Sequence, residues 1–269
     1  MIIGNKTFSK NKTHIMGILN VTPDSFFDGG KYFSLESAVK RALQMVKDGA
    51  DIIDIGGEST RPEHEPVSAL EEISRVVPVI QALKKVTAVP ISIDTHKAQT
   101  AYEALRAGAV MVNDVWGFRR DNDIANIVAK MGASCCLMAN CPYQDITASL
   151  KKSIKSAEYA GVPRDKIMLD AGVGFKKTHE ENLLTLNNYE EYLGLGLPLL
   201  LAVSRKSVIG NTLNAPKGER LMGSVALTAL GIAKGCNFIR VHDIKENRQV
   251  ADMIDAVLSA HNAQRTAHN

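Results

Sequence analysis

Eight short apolar runs, each ending at a polar residue and spaced by helix-length amphipathic segments, leave this chain few folds to choose from. The runs are Ile15–Leu19, Ile52–Ile55, Val89–Ile93, Val110–Val112, Cys135–Met138, Ile167–Leu169, Leu199–Val203 and Phe238–Val241. They are apolar almost throughout, the pattern of parallel strands covered on both faces. The segments between them repeat every 3.6 residues. Leu35, Ala38, Val39, Ala42, Leu43 and Val46 make one apolar helix face, with Ser34 before it and Gly49 after it. Ser68-x-x-Glu71 reads as a capping box opening the next helix. Repeated strand–helix units require a parallel sheet with right-handed crossovers. An open doubly wound sheet and a closed barrel both satisfy that rule. The strand count and the length of 269 residues favour an α/β (β/α)8 TIM barrel, one domain over residues 1–269. Neither Gly-x-Gly-x-x-Gly nor a P-loop supports the open sheet.

Composition narrows the functional classes. A net charge of +3, with Lys and Arg spread along the chain, excludes a nucleic-acid surface but suits small anionic substrates. Cys135, Cys136, Cys141 and Cys236 form no Cys-x-x-Cys and have no His at zinc spacing; they read as buried small residues. The N-terminus lacks an apolar leader, and no stretch approaches a membrane span. A cytoplasmic, reducing compartment is expected.

The strand ends carry the chemistry. The runs are followed in turn by Asn20; Gly56-Gly-Glu-Ser-Thr-Arg61; Asp94-Thr95; Asn113-Asp114; Asn140; Asp170; Ser204-Arg-Lys206; and His242-Asp243, with Arg240 inside the last run. Barrel enzymes build their sites from these ends. Helix capping accounts for Thr95, Asp114 and Asp243. It does not account for Asp94 and Asn113 beside them, nor for Arg240, which needs an anionic partner if buried. Arg240 and His242, two apart on a strand, share a face. Beside a helix N-terminus they make a pocket for phosphate or pyrophosphate. Asp94, Asn113, Asp170 and Lys206 offer acceptors and donors to a flat heterocycle. Phe175 packs on such a ring or belongs to the core. Lys206 as a Schiff-base lysine is the weaker reading, since it lies in a loop. No Gly-x-Ser-x-Gly elbow or His-Glu-x-x-His is present. After Asn20, the polar stretch to Gly30, with Phe26 and Phe27, reads as a mobile loop over a ligand site.

Seven segments in register with these ends closely resemble dihydropteroate synthase. They are Gly17-Ile-Leu-Asn-Val-Thr-Pro-Asp-Ser-Phe26, Gly56-Gly-Glu-Ser-Thr-Arg-Pro62, Ser92-Ile-Asp-Thr95, Asn113-Asp114, Asp170-Ala-Gly-Val-Gly-Phe175, Ser204-Arg-Lys206 and Arg240-Val-His242. The resemblance implies a (β/α)8 barrel that condenses 6-hydroxymethyl-7,8-dihydropterin pyrophosphate with 4-aminobenzoate. The products would be 7,8-dihydropteroate, for folate biosynthesis, and pyrophosphate, and sulfonamides would compete with 4-aminobenzoate. By that resemblance Asp94, Asn113, Asp170 and Lys206 hold the pterin. Asn20, Arg240 and His242 hold the pyrophosphate, with Asn20 on a Mg²⁺ ion. Thr60, Arg61, Pro62, Phe175, Ser204 and Lys206 face the aminobenzoate, and Asp94, Lys206, Arg240 and His242 are the catalytic set. Family members are usually homodimers through the late helices, here around Leu221–Lys234 and Val250–Leu258.

The chain departs from the family pattern at Ala139, where His is common; at Ala171, where Pro is; at Lys176, where Gly is; and at Phe27, where Ser is frequent. None of these touches the pterin or anion residues, so activity is expected. The alternatives are a methyltetrahydrofolate-binding corrinoid methyltransferase barrel and a catalytically weak pterin-binding paralogue.

Overall fold

The computed structural model describes residues 1–22, 35–58 and 66–267, with side chains to 260. An antiparallel hairpin, β1 (Ile2–Ile3) and β2 (Lys6–Thr7), comes first. The barrel strands follow: β3 (His14–Asn20), β4 (Ile52–Gly56), β5 (Ile91–Asp94), β6 (Met111–Asp114), β7 (Ser134–Met138), β8 (Ile167–Asp170), β9 (Leu199–Leu201) and β10 (Phe238–Val241). They close in the order β10-β3-β4-β5-β6-β7-β8-β9, every pair parallel. Helices α1 (Leu35–Lys47), α2 (Ala69–Val86), α3 (Ala98–Ala107), α4 (Ile124–Lys130), α5 (Ile146–Tyr159), α6 (His179–Asn187), α7 (Ser207–Leu213), α8 (Leu221–Ala233) and α9 (Ile244–Ala267) surround it. The expected closed (β/α)8 barrel is the observed one, and each apolar run contains or overlaps its strand.

Strand parity divides the interior. Alternate residues point to the barrel axis, and the lower layer is apolar: Met16, Ile52, Met111, Cys136, Met168, Leu200 and Phe238 pack there with Ile3 and Phe8. Ile3 and Phe8 belong to the amino-terminal hairpin and its exit, which plug the N-terminal mouth. Two-residue strands are too short for periodicity to reveal, so sequence patterning did not foresee this plug. The larger core lies between strands and helices, where the opposite strand faces meet the apolar stripes of α1, α2 and α3.

The capping box expected at Ser68 forms by half. Ser68 Oγ accepts the Glu71 backbone N–H, but the Glu71 carboxylate turns to Arg75 one helical turn on instead of returning to the cap. A complete box opens α6, with Thr178 and Glu181. The four cysteines are buried and unpaired.

Candidate active site

Register brings the strand ends into one row. Asn20 pairs with Gly56, Gly56 with Asp94, and Asp94 with Asn113. A Cβ on Gly56 would stand 3.5 Å from Asn20 Oδ1 and 3.9 Å from Asp94 Oδ2, so these two polar groups flank one point of the rim.

Beneath that row lies a buried ionic set. Arg240 Nε donates to Asp54 Oδ2 at 2.6 Å, and Nη2 donates to Asp94 Oδ2 at 2.6 Å. Asn113 Nδ2 donates to Asp54 Oδ2 at 3.0 Å. The arginine therefore has the anionic partner its burial demanded, and it has two. Burial drives Asp94 up to about 7 against the pull of Arg240, while the two carboxylates raise Arg240. One oxygen of each carboxylate, Asp54 Oδ1 and Asp94 Oδ1, is buried without a partner among the described residues. A buried bare acceptor of this kind costs about 1–3 kcal/mol until something donates to it. Such a group calls for an explanation, and at a strand-end pocket a bound ligand is one.

The far wall comes from β8, β9 and the loops after them. Asp170 Oδ1 accepts the Gly172 N–H at 2.8 Å, and burial raises this carboxylate too. Lys206 Nζ donates to Val173 O at 2.5 Å and sits 4.7 Å from the centre of the Phe175 ring. Burial lowers this lysine to about 8. Phe175 is half-buried beside the site, not in the core.

Ser204 acts on His242 directly. Its Oγ accepts the His242 backbone N–H at 3.2 Å and lies 3.0 Å from Nδ1. A hydroxyl has one proton and two lone pairs, so Ser204 can pair with either tautomer of the ring while it holds the backbone N–H. Burial and the neighbouring Arg240 lower His242 to about 4, so the ring is neutral at pH 7. The anion pocket thus consists of one neutral imidazole and an arginine whose Nη1 alone is uncommitted among the described residues. It is not the pair of free cations that the Arg-x-His spacing suggests.

Of the polar neighbours read as caps, Thr95 accepts the Lys97 N–H at the start of α3, and the other two have other roles. Asp114 accepts Trp116 N–H at 2.8 Å and Phe118 N–H at 2.6 Å, fixing the turn after β6. Asp243 pairs with Arg205. Thr60, Arg61 and Pro62, with Phe26 and Phe27, lie outside the described residues.

Known proteins match this arrangement. The family described as pterin binding enzyme covers residues 16–242. A dihydropteroate synthase of Clostridium beijerinckii is 51% identical, over 96% of this chain and 99% of its own. The chain belongs to the dihydropteroate synthase family. The crystal structure of the dihydropteroate synthase from Clostridium difficile in the presence of pteroic acid superposes with a TM-score of 0.89 at 49% identity, covering 91% of this chain and 97% of that one. The Xanthomonas albilineans dihydropteroate synthase with 4-aminobenzoic acid gives 0.91 at 35% identity, covering 95% and 97%.

Within this dihydropteroate synthase framework, sequence reasoning missed Asp54. The residue hides in the apolar run Ile52–Ile55, yet its signal is the one that exposed Arg240: a charge at inward parity inside an apolar strand. Two such charges of opposite sign, on the strands that flank β3, are the signature of a pair across the barrel interior.

Proposed function

We infer that this chain is a dihydropteroate synthase, joining 6-hydroxymethyl-7,8-dihydropterin pyrophosphate to 4-aminobenzoate with release of pyrophosphate. The observation that carries this reading is the Asp54–Arg240–Asp94 set, with a bare carboxylate oxygen on each aspartate. A pterin presents N–H and NH₂ donors along one edge, which would satisfy both oxygens. The side-chain carbonyl of Asn113 would add an acceptor, and Asp170 and the Lys206 ammonium would complete the ring's contacts.

The attacking arylamine is neutral at pH 7, so the reaction needs little base. Its demand is electrostatic: charge leaves with the pyrophosphate, and cationic character remains on the pterin methylene. The His242 imidazole and Arg240 Nη1 are the groups offered to the pyrophosphate. The Asp94 carboxylate offers negative charge to the methylene side. Displacement in this scheme is dissociative.

Asn20 would hold Mg²⁺. Its amide has no hydrogen-bond partner among the described residues, and no three His, Cys, Asp or Glu side chains gather into a metal cage among them. That donor set fits an ion that keeps most of its water and takes only one or two protein oxygens beside a phosphate. When bound, the ion would neutralise leaving-group charge. Phe175 and the Lys206 stem form the described part of the aminobenzoate wall, and Thr60, Arg61 and Pro62 would close its other side. Ser204 serves that wall less directly, by orienting His242.

The protein is read as a cytoplasmic homodimer. Support comes from four unpaired buried cysteines and from Met222, Leu230, Met253, Val257 and Leu258 of α8 and α9, which are exposed. No helix among the described residues is long and apolar enough to cross a membrane.

Complementation tests the function. A folate-auxotrophic strain lacking its own synthase should grow when this chain is expressed, and 7,8-dihydropteroate should form in its extract. Growth failure with soluble, folded protein would favour a pterin-binding paralogue. Methyl transfer from methyltetrahydrofolate without pyrophosphate release would favour the corrinoid methyltransferase.

A further inference from the structure

The loop of residues 171–177 joins β8 to α6 and carries Phe175 at its middle. Its backbone is held from both sides. On one side Lys206 donates to Val173 O. On the other, the Lys177 ammonium folds back into the loop and meets four carbonyl oxygens: Cys141 at 2.9 Å, Gly172 at 3.0 Å, Phe175 at 3.2 Å and Ala139 at 3.4 Å. Two of these belong to the loop itself, one of them the carbonyl of Phe175. The other two belong to the segment leaving β7.

An ammonium has three N–H donors, so four acceptors at these distances share them. Lys177 makes no ion pair among the described residues, and burial lowers its pKa. A partly dehydrated cation without a carboxylate is costly unless oriented dipoles replace its water. Four converging carbonyls do so here, much as a protein coordinates a metal ion. The contact between loop and segment is also close-fitting: Gly172 has φ +71, and a Cβ there would come within 2.2 Å of Ala139 O. Position 139 ends at Cβ and cannot brace the seam with a side chain. Asn182 secures only the loop's rear, accepting from Gly174 N and donating to the Lys177 and Thr178 carbonyls.

We propose that Lys177 is a positioning residue for the arylamine: by tying Gly172 and Phe175 to the end of β7, it sets the Phe175 ring against Lys206 at the distance that receives 4-aminobenzoate. The proposal rests on the dihydropteroate synthase reading. It separates the two substrates, because the Asp54–Arg240–Asp94 set lies on strands away from Lys177, and Asp170, itself on β8, meets the loop only through the Gly172 N–H. The chain's one tryptophan supplies a probe. Lys176 Nζ lies 4.9 Å from the centre of the Trp116 ring, so Trp116 emission reports where the loop sits.

The experiment measures pyrophosphate release by wild type, Lys177→Met and Lys177→Arg, varying each substrate in turn, with Trp116 fluorescence and thermal unfolding on the same samples. Lys177→Met should raise KM for 4-aminobenzoate about ten- to a hundredfold, the scale of an ångström misplacement. KM for the pterin pyrophosphate should stay within about twofold. Trp116 emission should shift in the free protein, and Lys177→Arg, which keeps donors and charge, should recover part of the arylamine KM. Equal rises in both KM values, tracking lost stability, would overturn the proposal, as would an unchanged arylamine KM. Should Lys177→Met fail to fold, Lys177→Gln carries the same comparison. Wild type that releases no pyrophosphate would defeat the functional reading, whereas active wild type with an indifferent Lys177→Met defeats this inference alone.

Discussion

The two ends of the barrel are built from the same strands, two residues apart, and they obey opposite rules. At the N-terminal end, Met16, Ile52, Met111, Met168, Leu200 and Phe238 pack against the hairpin's Ile3 and Phe8, with no charge among them. One pleat higher, β4 and β10 place Asp54 and Arg240 where the lower layer has Ile52 and Phe238. The lower end is closed by close-packed apolar volume. The upper end holds a buried ionic set with two unsatisfied oxygens. Stability is concentrated where the barrel is dry, and the capacity to bind is concentrated where satisfaction is incomplete.

Substitutions at the two ends should therefore separate. Arg240→Met strands two buried carboxylates. It should reduce kcat/KM by about a hundred- to a thousandfold or more, and lower stability by about 3–5 kcal/mol as an unpaired buried charge does. Steady-state pyrophosphate release and denaturant unfolding measure the two effects. Phe238→Ala, on the same strand but in the dry layer, should cost a similar 3–5 kcal/mol, approximately, through the cavity it leaves. Its kcat/KM should stay near wild type at a temperature where the variant is folded. A large loss of turnover in Phe238→Ala would erase the distinction between the ends.

The pH profile sharpens the contrast, since the groups that face the site at the upper end titrate in the working range. Burial has moved Asp94 from the ordinary carboxylate range up to about 7, so its charged form fills in as pH rises through that value. Burial has moved Lys206 down to about 8, so its ammonium is lost as pH rises further. Plotted against pH, kcat/KM should form a bell, rising to about 7 and falling past about 8. The limbs belong to the coupled set and not to isolated residues. Lys206→Arg, which cannot deprotonate, should remove the alkaline limb from whatever activity remains.

The smallest effect concerns Lys176. Its backbone has φ 47, in the left-handed region, while its ammonium lies over Trp116. Lys176→Gly relieves backbone strain of order 1 kcal/mol and removes an exposed cation–π contact of about 0.5–1 kcal/mol. Thermal unfolding should change by only a degree or two, roughly, on such a balance. A strong destabilisation would mean that the loop depends on Lys176 as much as on Lys177.

Much of this layout is readable from the chain because it rests on local rules. Apolar runs, helix periodicity and polar residues at run ends locate the strands, helices and most site residues: Asn20, Asp94, Asn113, Asp170, Lys206, Arg240 and His242 all stand at the carboxyl end of the barrel. What stayed hidden depends on contacts between distant segments. Asp54 looked like an interruption of an apolar run because its partner, Arg240, is 186 residues away. Resemblance places Ser204 with the arylamine, and only the fold adds that its hydroxyl holds the His242 backbone N–H and lies 3.0 Å from Nδ1. Lys177 gave no pattern at all, since its four acceptors are backbone carbonyls and any residue supplies those. The hairpin plug fell below the length at which alternation is meaningful.

The central claim is that the incomplete upper end exists to bind a pterin pyrophosphate and direct its carbon to an arylamine. Pyrophosphate release from that substrate, followed with and without 4-aminobenzoate and with and without Mg²⁺, tests it most directly. The account predicts steady turnover only with all three present, and 7,8-dihydropteroate formed in equal amount to the pyrophosphate. A single burst of release without 4-aminobenzoate is what a dissociative step allows; continuous turnover that ignores 4-aminobenzoate, or no release at all from folded protein that binds the pterin, would contradict it.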